Sequence, residues 1–199
     1  MKKWIAAIWL TLLTAVILGF FWYNQLVYSL PTPVPKDYHQ IGIGQQIALN
    51  NKLNFRNGRP VFLHFFNPDC PCSRFNIDHF KSLIKSHKSD VNFAVILMTN
   101  KAYTAQEIQK KFGLDIPVIS DKNIAKQCGV YSTPQAVLIT GDHELYYRGN
   151  YNKNRYCTDL QTSYAKMSLE DLLHKKSSSQ SDLLAIKAYG CSLPDCTSK

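Results

Sequence analysis

The stretch that decides the fold is Val61 to Phe80, VFLHFFNPDCPCSRFNIDHF. Its first six residues form an apolar run of the length expected for a fully buried strand, and an Asn-Pro-Asp turn signal then stops it. A helix-like pattern from about Ser73 to His87 follows, with Phe75, Phe80, Leu83 and Ile84 at helical spacing. Cys70 and Cys72 therefore fall at a strand-to-helix junction. Backbone N–H groups at a helix start have no intrahelical partner and carry the positive end of the helix dipole, so a thiol placed there is favoured as the thiolate.

Working outward, Val91 to Met98 reads as a second buried strand, which makes a parallel strand–helix–strand crossover. Thr104 opens a short helix ending near Gly113, Ile116 to Ile119 is brief and apolar, and Asp121 begins a short helix that Gly129 ends. Ser132-Thr133-Pro134 then leads into two strands, Gln135 to Thr140 and Glu144 to Arg148, joined by a tight turn. Upstream, residues Ile41 to Arg59 suit one or two edge strands. Downstream, Ser168 to Asp171 reads as a capping box for a helix to about Lys175, and Ser181 to Tyr189 as a last helix before a tail carrying Cys191 and Cys196.

The chain has 199 residues, 45% of them apolar, enough for one ordinary domain with appendages. Lys2 and Lys3 precede an apolar segment from Trp4 to Tyr23, about the length that crosses a bilayer, and no small-residue cleavage site follows. An uncleaved anchor is preferred over a cleaved signal peptide. The two lysines would stay on the cytoplasmic side and send the rest of the chain across. The organisation expected is thus an anchor at 1–29, a proline-rich spacer at 30–40, a domain at 41–152 and a helical extension with the cysteine tail at 153–199. A net charge of +9 is spread over scattered lysines without a basic, aromatic-interleaved stripe, so nucleic acid is excluded as a partner.

Six cysteines in an exported chain would ordinarily be structural disulfides. A bridge across one residue constrains almost no loop, however, so the Cys70-Pro71-Cys72 pair is read as chemistry rather than as a staple. Cys70, nearest the helix entrance, is the chosen nucleophile, with Cys72 or a more distant cysteine resolving the mixed disulfide. Asp69 opposes the thiolate and Arg74 is the cation able to offset it. Cys191 and Cys196 are either resolving thiols or the ends of a small local disulfide. Cys128 reads as a buried core residue, and Cys157 is left between pairing with Cys128 and with the tail. His64 and His79 read as packing residues.

The succession of a buried strand, a cysteine-bearing turn, a helix, a second buried strand and a Thr-Pro entering a hairpin resembles the thioredoxin superfamily. Arg59 to Gly149 carry that resemblance. Cys70-Pro71 with Ser73, Gly129-Val-Tyr-Ser-Thr-Pro134 and Tyr189-Gly-Cys191-Ser-Leu resemble its redoxin branch, which includes alkyl hydroperoxide reductases and membrane-anchored thiol-disulfide oxidoreductases. The resemblance implies an α/β thioredoxin-like fold, a central mixed sheet flanked by helices, with the N-terminal transmembrane helix and the cysteine-containing C-terminal extension added to it. It also implies that Pro134, preceded by Thr133, is a cis-proline beside the active cysteine, and that Cys70, Cys72, Thr133 and Pro134 make up the site, with Cys191 and Cys196 as candidate resolving thiols. The activity implied is thiol-disulfide exchange on a protein thiol or disulfide, with a second protein as redox partner and no cofactor. The location implied is the inner (cytoplasmic) membrane, single-pass, with the domain facing the periplasm. Two departures stand out. One residue, not two, separates the cysteines, and a ring so small should be strained and oxidising. The positions that the peroxiredoxin signature fills with Pro and Thr are Leu63 and Asn67, so peroxidase chemistry is discounted. A copper-binding chaperone on the same fold is the alternative from another class, since paired thiolates suit Cu(I). The Asp142-His143 pair needed for it falls on the expected hairpin turn.

Overall fold

A computed structural model describes residues 2–49, 53, 55, 57–154, 159, 161–177 and 183–193. The chain divides into two compact units, residues 1–31 and 32–199. The first is a single helix, α1 (Lys2–Ser29), whose large side chains, Trp4, Trp9, Phe20 and Phe21 among them, are exposed. Its Lys2–Leu26 portion has 25 residues, roughly 38 Å at 1.5 Å per residue, which exceeds the ~30 Å hydrocarbon core of a bilayer. The hydroxyls of Thr11 and Thr14 donate back to the carbonyls of Ala7 and Leu10, so neither offers an unsatisfied polar group to an apolar medium.

The second unit is built on β1 (Val61–Phe66), every residue of which is buried. That is why its sequence runs apolar instead of alternating: helices and loops cover both faces. On one side it pairs in parallel with β2 (Asn92–Leu97), which pairs in parallel with β3 (Val118–Ile119). On the other it pairs antiparallel with β5 (Gln135–Ile139), which forms the hairpin with β6 (Leu145–Gly149). The mixed sheet has the order β3-β2-β1-β5-β6. Phe62, Phe66, Phe80, Leu83, Leu138 and Leu169 pack on one face, and Leu63, Phe65, Ile96, Ile124 and Cys128 on the other.

Between β1 and β2 lie α2 (Pro71–Phe75) and α3 (Ile77–His87). The single helix expected from Ser73 is interrupted at Asn76, whose side chain donates to Cys72 O at 2.8 Å. Phe75 is consequently 46% exposed, and Ile77 takes an inward place instead. Crossing back, α4 (Ala105–Phe112) has a full Thr104/Glu107 capping box and ends at left-handed Gly113. Next, α5 (Lys122–Gln127) starts from an Asp121 cap and stops before Gly129, which has φ 64°. A short strand, β4 (Ser132–Thr133), precedes β5.

Three expectations need correction. Among the described residues, 41–59 form no edge strand, only an isolated bridge between Gln46 and Glu144. The helix placed after Ser168 is α6 (Tyr164–Leu173) and begins earlier, with Ser168 inside it. Burial of Tyr164, Ala165 and Leu169 against the sheet sets its start, and no side-chain cap does. The last helix, α7 (Leu183–Ile186), ends at Ile186 and not at Tyr189, and is followed by β7 (Cys191–Ser192), which pairs antiparallel with β4.

Candidate active site

The turn after β1 places the first cysteine. Asn67 folds the chain locally: its Oδ1 accepts from Asp69 N at 3.0 Å, its carbonyl accepts from Cys70 N at 3.1 Å, and its own N–H donates to Ser73 Oγ at 3.3 Å. Cys70 is the residue before α2, in extended geometry (φ −86°, ψ 120°), and Pro71 occupies the first turn, where a missing N–H costs no hydrogen bond. The Cys70 sulfur is bonded to the sulfur of Cys191, 121 residues away in sequence. It also lies 3.9 Å from Thr133 O. As a disulfide sulfur it carries no proton, so that approach marks proximity and not a hydrogen bond. The Thr133–Pro134 bond is cis. Cys70, Thr133 and Pro134 are therefore brought to one place.

Cys72 is not joined to Cys70. Both are 2% exposed, but Cys70 stands before α2 in extended geometry with its sulfur bonded to Cys191, whereas Cys72 lies inside α2. The strained one-residue ring expected from the spacing is thus absent from this state. The small local disulfide considered for Cys191 is absent too, since that sulfur is bonded to Cys70. Cys196 and Cys157 lie outside the described residues. Cys128 is a core residue packed on the second face of the sheet, and burial pushes its thiol up to about 12.

The carboxylate next to the thiol is turned away. Asp69 accepts from Lys101 Nζ at 2.9 Å, from Tyr103 OH at 3.0 Å and from Thr99 Oγ1 at 3.3 Å. The Lys101 hydrogen bond is the first cause holding the Asp69 carboxyl below its usual range, and the same contact raises Lys101. Lys101, on the loop after β2, is thus the counter-charge to Asp69. Arg74, the cation that its place in the sequence made the candidate, is an exposed residue of α2.

His64 is fully buried on β1, where desolvation lowers it to about 3 and keeps it neutral. Its Nδ1 pairs with Tyr151 OH at 2.7 Å and its ring lies 4.4 Å from that of Phe80, while Nε2 has no partner. His79 is half-buried, is lowered mainly by desolvation, and has Nε2 3.4 Å from Ser163 Oγ. Asp142 and His143 are exposed on the β5–β6 turn.

Sequence reasoning missed the groups that seat the tail. Thr133 faces Cys191 and Ser132 faces Ser192 across the β4–β7 pair. The buried Thr32 hydroxyl donates to Gly190 O at 3.2 Å and can accept from Ser132 Oγ at 2.9 Å. Thr32 N donates to Ala188 O at 2.8 Å. Asn150 holds the preceding turn through Nδ2 bonds to Leu184 O and Lys187 O. No local pattern marks any of these, because their partners are distant in sequence.

The fold is thioredoxin-like. It is shared, at a TM-score of 0.64 and 17% identity, with a hypothetical protein from Sinorhizobium meliloti, covering 78% of this chain and 96% of that one. It is shared, at a TM-score of 0.53 and 14% identity, with the C-terminal domain of a Bacteroides thetaiotaomicron protein assigned as a thiol-disulfide oxidoreductase, covering 67% and 97%. The chain belongs to the family described as a domain of unknown function, DUF6436, which matches residues 39–194. In sequence it is also similar to the thiol-disulfide oxidoreductase ResA of Halalkalibacterium halodurans, with 26% identity over 97 residues, 47% of this chain. The matched region spans 55% of that relative's length.

Proposed function

We propose that the protein is a thiol-disulfide oxidoreductase, anchored by α1 with residues 32–199 on the extracytoplasmic side of the membrane, that acts on the cysteines of other proteins. The observation that carries this is the Cys70–Cys191 bond at the Thr133–Pro134 edge: a strand-to-helix cysteine is joined to a cysteine on a separate segment, 121 residues away. In the reduced state the Cys70 thiolate attacks a substrate disulfide and the substrate's other sulfur leaves as a thiolate. Cys191 then attacks the Cys70 sulfur, expels the substrate thiolate and restores the 70–191 bond. The substrate disulfide gains two electrons and the two protein thiols lose them. A dithiol protein then reduces the 70–191 bond by two successive exchanges, its own two thiols closing into a disulfide. The resemblance of the 97-residue segment to ResA supports the same reading.

Copper handling gains no support from the geometry. Cys70 is already bonded to Cys191, and among the described residues no group of three or more Cys, His, Asp or Glu side chains is placed to hold a metal ion. Asn67, where a peroxidase would have its hydroxyl, is committed to the turn.

The test uses the full chain in detergent micelles. The wild type is reduced with dithiothreitol, freed of it, and mixed with insulin or oxidised glutathione; peptide mapping then follows the 70–191 bond. Re-formation of that bond matched by substrate reduction is expected, with Cys70→Ser inactive and Cys191→Ser accumulating a mixed disulfide on Cys70. A Cys70→Ser variant as active as the wild type would refute the assignment.

A further inference from the structure

The edge beside the exchange cysteine is occupied in the structure by the protein's own tail. Gly190-Cys191-Ser192 lies extended along Ser132-Thr133, antiparallel, with its cysteine bonded to Cys70. Gly190 has φ 134°, and a side-chain carbon there would sit 2.3 Å from Thr133 O, so only glycine permits this approach. The contact is polar and backbone-directed. The Thr32 hydroxyl donates to the Gly190 carbonyl and the single Ser132 hydroxyl proton is shared between Thr32 Oγ1 and the Cys191 carbonyl, while Ala188 is buried and its carbonyl accepts from Thr32 N. Cys70, at 2% exposure, has Cys191 as part of its cover.

We propose that residues 188–192 are a tethered stand-in for substrate: the segment that this edge accepts from another protein is an extended strand with glycine immediately before its cysteine, and the tail must lift before that strand binds. The proposal rests on Cys70 as the exchange cysteine. Reduction is the release step. One thiolate of a dithiol reductant attacks a sulfur of the 70–191 bond and forms a mixed disulfide as the other protein sulfur leaves. The second reductant thiol then closes the reductant's own disulfide and expels the remaining protein thiolate. Two electrons have passed to the protein, and the tail is held by non-covalent contacts alone: its hydrogen bonds, buried Ala188 and the packing of Leu193 on the core. An incoming Gly-Cys strand exchanges for it, residue for residue, and its disulfide meets the Cys70 thiolate. Closure of the 70–191 bond afterwards reseats the tail and ejects the product.

The experiment uses reduced full-length protein in micelles and the peptide Ala-Tyr-Gly-Cys-Ser-Leu, its cysteine carried as a mixed disulfide with 5-thio-2-nitrobenzoate. Release of the coloured thiolate is followed for this peptide and for one with alanine in place of glycine. The glycine peptide is expected to react about tenfold faster, because overpacking a tight contact costs enough to change a rate by that factor. Gly190→Val in the protein, which unseats the tail, is expected to speed the first turnover with the glycine peptide and to slow 70–191 closure. Equal rates for the two peptides overturn the proposal while leaving the exchange function standing, and this comparison uses only the wild type. An unchanged first turnover in folded Gly190→Val also overturns it. Release no faster than with Cys70→Ser, for either peptide, instead removes the exchange function on which the proposal rests.

Discussion

Opening the Cys70–Cys191 bond should cost the domain much of its stability, and the amount follows from the path of the chain. The bond closes a loop of 121 residues. In the chain-entropy account, cross-linking a loop of that size withholds about 16 cal/mol/K from the unfolded ensemble, or about 5 kcal/mol at 25 °C. Compact denatured chains reduce the figure, so about 3 to 5 kcal/mol is expected. The comparison is between oxidised wild type, reduced wild type and Cys191→Ser, unfolded with urea in micelles. Tryptophan fluorescence is the wrong signal, because Trp4, Trp9 and Trp22 all lie in α1 and none in the domain. Near-ultraviolet circular dichroism of the buried tyrosines, Tyr147 and Tyr151, reports the domain itself. Reduced wild type and Cys191→Ser should fall together, well below the oxidised protein. If all three unfold within about 1 kcal/mol of one another, the oxidised protein does not hold this long loop closed, and the tail assignment fails with it.

Four further outcomes are expected. His64 is neutral when folded and has its ordinary value, 6.5, when unfolded, so the unfolded state binds the extra proton below that value. Stability is then complete above pH 6.5 and declines as pH falls toward about 3, by at most about 1.4 kcal/mol per pH unit; urea titrations at pH 4 to 7 read the slope, and His64→Phe should flatten it. Lys101→Ala removes the cation paired with Asp69, leaving its carboxylate only the Tyr103 and Thr99 hydroxyls, and should raise the Cys70 thiol's apparent pKa, whereas Asp69→Asn should lower it; the pH profile of Cys70 alkylation in the reduced protein separates the two, and movement in the same direction would contradict the pairing. Asn150→Ala removes the two donors holding the turn before the tail and should cost about 1 to 3 kcal/mol, with faster hydrogen exchange around Ala188 than in the sheet. Thr104→Ala breaks the capping box of α4 at the surface and should cost about 1 kcal/mol in denaturant midpoint without changing the rate of 70–191 closure.

Much of the framework was legible because its signals are local. Five apolar residues around one histidine at Val61–Phe66 mark a strand buried on both faces, Thr104 and Glu107 write a cap, and Gly113 and Gly129 mark left-handed helix ends. The position of Cys70 at the end of that strand follows from the same local pattern. In two places where sequence reasoning failed, a distant partner had decided; in a third, a local break had. A capping box at Ser168 lost to burial of Tyr164 and Ala165 against the sheet, and the apolar pieces of 41–59 found no strand partner beyond the bridge at Gln46. Phe75 kept helical spacing, but the break at Asn76 turned it outward.

The sequence by itself determined the apolar N-terminal helix, the strand that ends at Cys70 and the elements on either side of it, because period, caps and turns are written within a few residues. Which sulfur Cys70 meets was decided only in three dimensions. Cysteine pairing depends on where the backbone carries the two residues, and here it carries Gly190 close enough to Thr133 that a neighbour one position beyond Pro71 is passed over for one 121 residues away.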